Sequence, residues 1–187
     1  MTTDFLEHGM RLALAEAAKA EAAGEVPAGC VIVRHPEDAE RCRIQNSELR
    51  IQNENIKNGE RLATDNCKLK TGFLLARAHN QTELLKDPTA HAEMIAITQA
   101  AAAVGDWRLE NTVLFVTKEP CPMCAGGIVL ARIPVVVYGF ADPKRGGISV
   151  FNILRHEGLN HTAEIIPDIL RDECLAQFQA FFKTCRD

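Results

Sequence analysis

Hydrophobic and polar residues follow one another along this chain at two spacings, one typical of helices and one typical of strands. Apolar residues recur at helical spacing from Leu6 to Ala17, so we expect a first helix that Asp4 caps, with Glu7 as its capping-box partner, and that Gly24 ends. Short runs of β-branched and apolar residues predict five strands, at 26–33, 73–78, 112–117, 133–138 and 162–166. Segments at 90–104, 121–131, 150–155 and 168–183 predict the later helices. Strands that alternate with helices indicate a sheet covered by helices on both faces.

The segment between the first two predicted strands differs from the rest of the chain. It is polar, and the tetrapeptide Arg-Ile-Gln-Asn at 43–46 recurs at 50–53. One repeated tetrapeptide is too little for a solenoid, which needs about three units, and the aliphatic residues here form no single helical stripe. We therefore expect a single domain over residues 1–187 with a low-complexity insertion in a hairpin at about 35–71. The antiparallel hairpin should place Val26, Pro27 and Asn80 at the end away from the insertion.

Charge and cysteine content narrow the classes of function. The chain has 187 residues, a formal net charge of −4 and seven cysteines. An odd count without a secretory signal argues against a disulfide framework, and no apolar run approaches the roughly 18–20 residues of a transmembrane helix. The acidic balance argues against non-specific binding to nucleic acid. We expect a cytoplasmic protein with no membrane association.

Two short motifs carry the candidate metal chemistry. His91-Ala92-Glu93 starts one predicted helix, and a Pro-Cys-Pro-Met-Cys segment at 120–124 starts the next. Cysteines three positions apart lie on one face of a first helical turn, where the helix N-terminus favours the thiolate that a metal requires. Three nitrogen and sulfur ligands suit zinc and leave its fourth position open, whereas a structural zinc is normally closed by a fourth residue. We therefore predict one zinc ion per subunit, bound by His91, Cys121 and Cys124.

Glu93 lies two residues after His91, and we predict that it carries protons and is not a ligand. At the mouth of a helix it can point toward the open zinc position, where the pKa of a bound water falls to about 7. A carboxyl group there can take a proton from that water and deliver protons to a ring nitrogen and to leaving ammonia. Either motif alone is common, as a capped helix start or a redox pair. Together, with one helix and one strand between them, they match the signature of zinc deaminases.

The chain also resembles the cytidine and nucleobase deaminase superfamily and, within it, the bacterial family of tRNA-specific adenosine deaminases. The matching segments cover nearly the whole chain outside the insertion: 25–27 with Gly29, 87–93, 116–117, 119–126, Asp142, 158–161 and 172–174. The catalytic segments are shared across the superfamily. The Gly-Leu-Asn-His segment at 158–161 and the helix after it point to the family that acts on tRNA.

This resemblance implies a fold, a reaction and a set of substrate contacts. The fold would be a three-layer α/β/α cytidine-deaminase-like fold with a five-stranded mixed sheet. The protein would be a homodimer that flips the wobble adenosine out of a tRNA anticodon loop and converts it to inosine. Asn80 would hydrogen-bond the purine, the backbone at Ala90 would help to hold it, and Asp142 would lie in the loop that meets the nucleic acid. Further substrate contacts would come from Val26, Pro27 and Pro120.

The chain departs from the family pattern at several positions. Gln81 stands where arginine is usual after the strand-end asparagine, and Lys118 stands where leucine is usual before Glu-Pro-Cys. The family hairpin is short, whereas this one carries the insertion. The carboxyl end has few basic residues, with Lys183 and Arg186 among its last five.

Two alternative functions stay open at this point. A deaminase of free guanine or cytosine would keep the zinc site and change only the pocket around it. A non-catalytic zinc module that binds nucleic acid would instead need a fourth ligand, such as His79 or His161. That module would have no use for Glu93.

Overall fold

The computed structural model describes residues 1–34, 68–69 and 72–185. Its elements are α1 (Thr3–Ala22), β1 (Gly29–Arg34), β2 (Lys68–Leu69), β3 (Gly72–His79), α2 (Thr82–Leu85), α3 (Ala92–Val104), β4 (Thr112–Lys118), α4 (Pro122–Leu130), β5 (Val135–Phe140), a 3-10 helix (Ile153–Arg155), β6 (Glu164–Ile166) and α5 (Arg171–Thr184). They follow the predicted order, with the short α2 and β2 as additions. Nearly all of the predicted insertion, including both repeated tetrapeptides, lies outside the described residues.

The strands form one mixed sheet in the order β2-β3-β1-β4-β5-β6. β1 is antiparallel to both β3 and β4, while β5 is parallel to β4 and to β6. The predicted five-stranded mixed sheet is confirmed, and the two-residue β2 extends its β3 edge. Gly29 pairs with His79, so the start of β1 lies beside the end of β3, as the hairpin prediction requires.

Helices cover both faces of the sheet because side chains along each strand alternate between the faces. In β1, Cys30 and Ile32 pack into a core with buried residues of α3 and α4. Val31 and Val33 pack into a second core with buried residues of α1 and α5. A side chain at Gly29 would collide with the backbone of α1 at Ala13, so glycine permits this helix to lie close to the sheet. The predicted three-layer α/β/α fold is therefore confirmed.

The starts of β1 and of α1 differ from the sequence predictions. Thr2, and not Asp4, caps α1, since its hydroxyl oxygen accepts the N–H of Phe5 at 3.4 Å. Asp4 lies in the first turn instead, where its charge still favours the helix dipole. β1 begins at Gly29 and not at residue 26. Pro27 has no N–H to donate to a neighbouring strand, which keeps it out of the ladder.

The carboxyl-terminal elements also differ from their predicted bounds. The closing helix begins at Arg171, because Asp168 and Leu170 adopt left-handed backbone angles with φ of 63° and 50°. The helix predicted at 150–155 is reduced to a single 3-10 turn over Ile153–Arg155. Across the described residues, no helix combines the length and the apolar character that crossing a membrane requires.

Candidate metal and catalytic site

Three predicted ligands meet where α3 and α4 begin side by side. His91 and Cys121 occupy the N-cap positions of the two helices, and Cys124 lies in the first turn of α4. Nδ1 of His91 is 3.6 Å from Sγ of Cys121 and 3.4 Å from Sγ of Cys124. Ligand atoms on one tetrahedral zinc, at about 2.0–2.3 Å from the ion, lie roughly 3.5 Å apart. The three side chains therefore form a group that could hold one metal ion.

The hydrogen bond between the two cysteines favours one thiolate, at Cys121, and raises the pKa of Cys124 well above its ordinary value. The hydrogen bond from Cys124 lowers the pKa of Cys121 to about 4, although partial burial opposes the shift. The hydrogen bond to Cys121 raises the pKa of His91. A thiolate at a helix N-terminus, with a second thiol and an imidazole beside it, is a donor set that fits zinc.

The two histidines considered as a fourth ligand lie elsewhere. Nδ1 of His79 is 3.6 Å from a carboxylate oxygen of Glu16 in α1. Nε2 of His161 is 2.9 Å from the carbonyl oxygen of Ile133. Among the described residues, neither joins the metal-binding group. The arrangement thus favours an open site over the closed zinc of a structural module.

Glu93 lies in the first turn of α3 and is only 6% exposed. Burial raises the pKa of its carboxyl group, and the group interacts with the thiol of Cys124. Helix α3 begins directly after His91. The carboxyl group of Glu93, two residues after His91, therefore still lies near the metal-binding group. A carboxyl with a raised pKa beside such a group is suited to proton transfer near neutral pH.

Asn80 is buried at the end of the hairpin, and two side chains hold its amide. Its Nδ2 donates to Glu25 at 3.0 Å, and its Oδ1 accepts the hydroxyl of Thr82 at 3.0 Å. The Glu25 carboxylate also accepts the backbone N–H groups of Glu83 and Leu84, at 3.2 and 2.7 Å. Glu25 therefore joins α2 to Asn80 and sets which way the amide faces.

The loop that contains Asp142 is attached to the site by Glu119. This buried carboxylate accepts the backbone N–H of Asp142 at 2.8 Å, that of Ile148 at 3.0 Å and both donors of Ser149. It leaves no space for a side chain at Gly146. The Asp142 side chain is 14% exposed and forms an ion pair with Lys118 at 2.6 Å.

The remaining predicted contacts are partly engaged by the protein itself. The N–H of Ala90 donates to Asp87 at 3.1 Å, and its carbonyl accepts the N–H of Gln81 at 3.0 Å. Pro27 and Pro120 are buried. Val26 keeps 36% of its surface exposed.

Glu25 and Glu119 lie in segments that match the family pattern, but neither of them was given a role in the sequence analysis. Each is 2% exposed, and charged side chains are rarely so buried unless they are paired. Their positions could have indicated a role in the site, because each glutamate lies next to a matching segment and an apolar strand. Nothing local to either residue reveals its hydrogen-bond partners, which lie 23–59 positions further along the chain.

The fold and the site define the chain as a deaminase. The model of the MafB19-like deaminase family matches residues 6–174, which is nearly the whole chain.

Two named relatives narrow the class of deaminase. The tRNA-specific adenosine deaminase of Bacillus subtilis (strain 168) is 41% identical over 100% of this chain and 92% of its own length. That of Aquifex aeolicus (strain VF5) is 37% identical over 97% of this chain and 96% of its own. This chain belongs to the family of tRNA-specific adenosine deaminases.

One solved structure agrees with this assignment, and a second shares the fold. A structure from studies of A-to-I editing by tRNA:A34 deaminases at the wobble position is 31% identical, with a TM-score of 0.67, over 91% of this chain and 98% of that one. Guanine deaminase from Nitrosomonas europaea matches 94% of this chain and 83% of its own with a TM-score of 0.64. At 17% identity, that second likeness concerns the fold alone.

Proposed function

We propose that the protein hydrolyses the 6-amino group of the wobble adenosine in tRNA, leaving inosine and releasing ammonia. The observation that carries this proposal is the group of His91, Cys121 and Cys124 beside the buried Glu93. The chain that contains it is similar over its full length to tRNA-specific adenosine deaminases. Those relatives support RNA, and not a free base, as the substrate.

We propose one zinc ion per subunit, held by His91, Cys121 and Cys124. Bound zinc supplies a water nucleophile that is activated at neutral pH. Glu93 then moves two protons. It takes the first from the attacking water and delivers it to N1 of the adenine ring. It carries the second from the hydroxyl now attached at C6 to the amino group, which leaves as ammonia, so the protons of hydrolysis balance.

Asn80 would hold the purine in this pocket. After its bonds to Glu25 and Thr82, its amide keeps one N–H and one oxygen lone pair for a ligand. Additional contacts would come from Val26, Pro27, Pro120 and the backbone at Ala90. Replacing Asn80 with alanine should lower kcat/KM sharply, because buried partners on the ring would be left unpaired.

The anticodon loop would lie across the loop that contains Asp142. Lys144 and Arg145 are exposed next to this residue and can approach phosphates. An anticodon loop presents bases that are not stacked in a duplex, which lowers the cost of flipping one into the pocket.

We further propose that the protein is a single domain with its hairpin insertion, that it acts as a homodimer, and that it works in the cytoplasm, where tRNA is modified. Leu130, Val150 and Phe151 keep 74%, 46% and 54% of their surface exposed, and they would contribute to a dimer surface if they form one contiguous apolar patch. Light scattering at micromolar concentration should report twice the chain mass. A monomer there would contradict the dimer.

One comparison tests the reaction. Purified protein is incubated with an anticodon stem-loop that has adenosine at the wobble position, and in parallel with free adenine, guanine and cytosine. Inosine in the RNA is measured by digestion and chromatography, and ammonia is measured in every reaction. A stem-loop with guanosine at the same position is the matched control. We expect inosine only in the first RNA, whereas turnover of a free base without turnover of RNA would contradict the proposal.

A further inference from the structure

Lys118 ends β4 three positions before Cys121, at the rim of the metal-binding group. Its Nζ is 2.6 Å from Oδ2 of Asp142 and 5.5 Å from the centre of the Phe178 ring. Its charge also reaches His91, where it weakly opposes the rise in pKa that the hydrogen bond to Cys121 causes. The side chain is 27% exposed, so the charge is fixed in place but still reaches solvent.

Asp142, by contrast, has its acceptors engaged. Oδ2 contacts Lys118, and Oδ1 accepts the backbone N–H groups of Lys144 and Arg145 at 3.0 and 3.1 Å. A free carboxylate on this rim would repel RNA phosphates. The ion pair neutralises that charge and makes Asp142 an anchor for the neighbouring ammonium group.

The ammonium group of Lys118 has donors left for a ligand. A lysine offers three N–H groups, and one of them faces Asp142. Lysine is also suited to phosphate, to which it binds as a compact point charge.

We propose that Lys118, oriented by Asp142, binds a backbone phosphate of the RNA next to the flipped adenosine and so favours RNA over free bases. This inference rests on the proposed function, because free bases have no phosphate to offer. The contact acts on binding and not on proton transfer. Its loss should therefore raise KM for RNA and leave kcat and the turnover of any free base unchanged.

The first test replaces Lys118 with methionine, which keeps an unbranched side chain one atom shorter and removes its charge. We expect KM for the stem-loop to rise about tenfold and the slope of log(kcat/KM) against log[salt] to become shallower by roughly 0.7, the value for one phosphate on a single strand. Lys118→Arg keeps the charge and should restore most of the affinity.

Arg108→Met is the matched control for the loss of one positive charge. Arg108 lies four residues before β4 begins at Thr112, and Lys118 ends that strand, so about 20 Å of strand at 3.3 Å per residue separates the two ends. That distance exceeds the screening length of about 8 Å at physiological salt. This control should leave KM and the salt slope unchanged, with thermal midpoints confirming that each variant is folded.

The second test separates Lys118 from Asp142 as the contact to RNA. Asp142→Asn in the wild-type chain releases Lys118 and should raise KM. The same change in the Lys118→Met chain removes an unpaired negative charge and should lower KM. An equal effect of Asp142→Asn in both chains would overturn the proposal, as would an unchanged KM and salt slope in Lys118→Met.

The outcomes also distinguish this inference from the function on which it rests. If the wild-type protein forms inosine and Lys118→Met behaves like wild type, only the phosphate contact is wrong. If the wild-type protein forms no inosine in RNA, the proposed function fails, and the phosphate contact fails with it.

Discussion

Replacing Glu25 with alanine should lower both the stability and the activity of the protein, because the Asn80 amide loses its partner. The Glu25 carboxylate accepts three hydrogen bonds, from the Asn80 amide and from the N–H groups of Glu83 and Leu84. Asn80 is only 7% exposed, so its unpaired N–H would cost about 1–3 kcal/mol. The two N–H groups of α2 lie nearer the surface and water can reach them, so their loss resembles that of a helix cap, about 1 kcal/mol.

The free energy of unfolding should therefore fall by about 2–4 kcal/mol, which lowers Tm by roughly 4–16 °C in a chain of this size. If Asn80 holds the purine as proposed, the loss of its orientation costs the same 1–3 kcal/mol and lowers kcat/KM by about 5- to 150-fold. Inosine formation is measured at 25 °C, below the Tm of the variant, and zinc content is measured on the same sample.

Glu25→Gln is the matched variant for this prediction. Its amide oxygen can still accept from Asn80 and Glu83, and only the bond to Leu84 is lost. We expect it to retain most of the activity. In an Asn80→Ala chain, Glu25→Ala should add little further loss of activity, because the two residues act together.

Two results would refute this reasoning. One is a Glu25→Ala protein with a lower Tm but a wild-type kcat/KM, which would restrict Glu25 to a structural role. The other is a Glu25→Gln protein as inactive as Glu25→Ala, since the negative charge and not the acceptor would then matter.

Three further predictions follow from other parts of the chain. Glu93→Gln should lower kcat by about 10²- to 10⁴-fold with zinc still bound by metal analysis, and loss of the metal would contradict a role limited to protons. Gly146→Ala would place a methyl group against the Glu119 carboxylate, so it should raise KM for RNA and lower the free energy of unfolding by about 1–3 kcal/mol. Gly126→Ala is its control, since a methyl group there meets open space within α4, and it should stabilise the protein by about 0.5–1 kcal/mol in thermal melts. Burial would raise the pKa of Glu16, but its basic neighbours lower this pKa below the ordinary 4.5. The ionised Glu16 therefore stabilises the fold above about pH 4.5, and this stabilisation is lost as the pH falls. The difference in Tm between Glu16→Gln and wild type should therefore shrink below about pH 4.5, and a constant difference would contradict this.

Much of the fold could be predicted because its signals are local. The order of helices and strands follows from apolar spacing within each segment, and the antiparallel pairing of β1 with β3 follows from two strands in one hairpin. The boundaries were less accurate at Pro27 and Asp168. There a missing N–H and a left-handed backbone overrode the apolar pattern.

The candidate metal site could also be predicted, for a similar reason. Cys121 and Cys124 share one helical turn, and Glu93 follows His91 closely, so two short segments contain all four residues. Residue type and spacing are enough to indicate the chemistry when the ligands lie this close along the chain.

Only the tertiary structure decided how the site is supported. Glu25 meets Asn80 across 55 positions, and Glu119 meets Ser149 across 30, because the folded sheet brings distant strand ends together. The pairing of Lys118 with Asp142 likewise depends on β4 and β5 lying side by side in parallel. A buried carboxylate is stable only when it has such hydrogen-bond partners. A local sequence pattern cannot predict partners that come from distant parts of the chain.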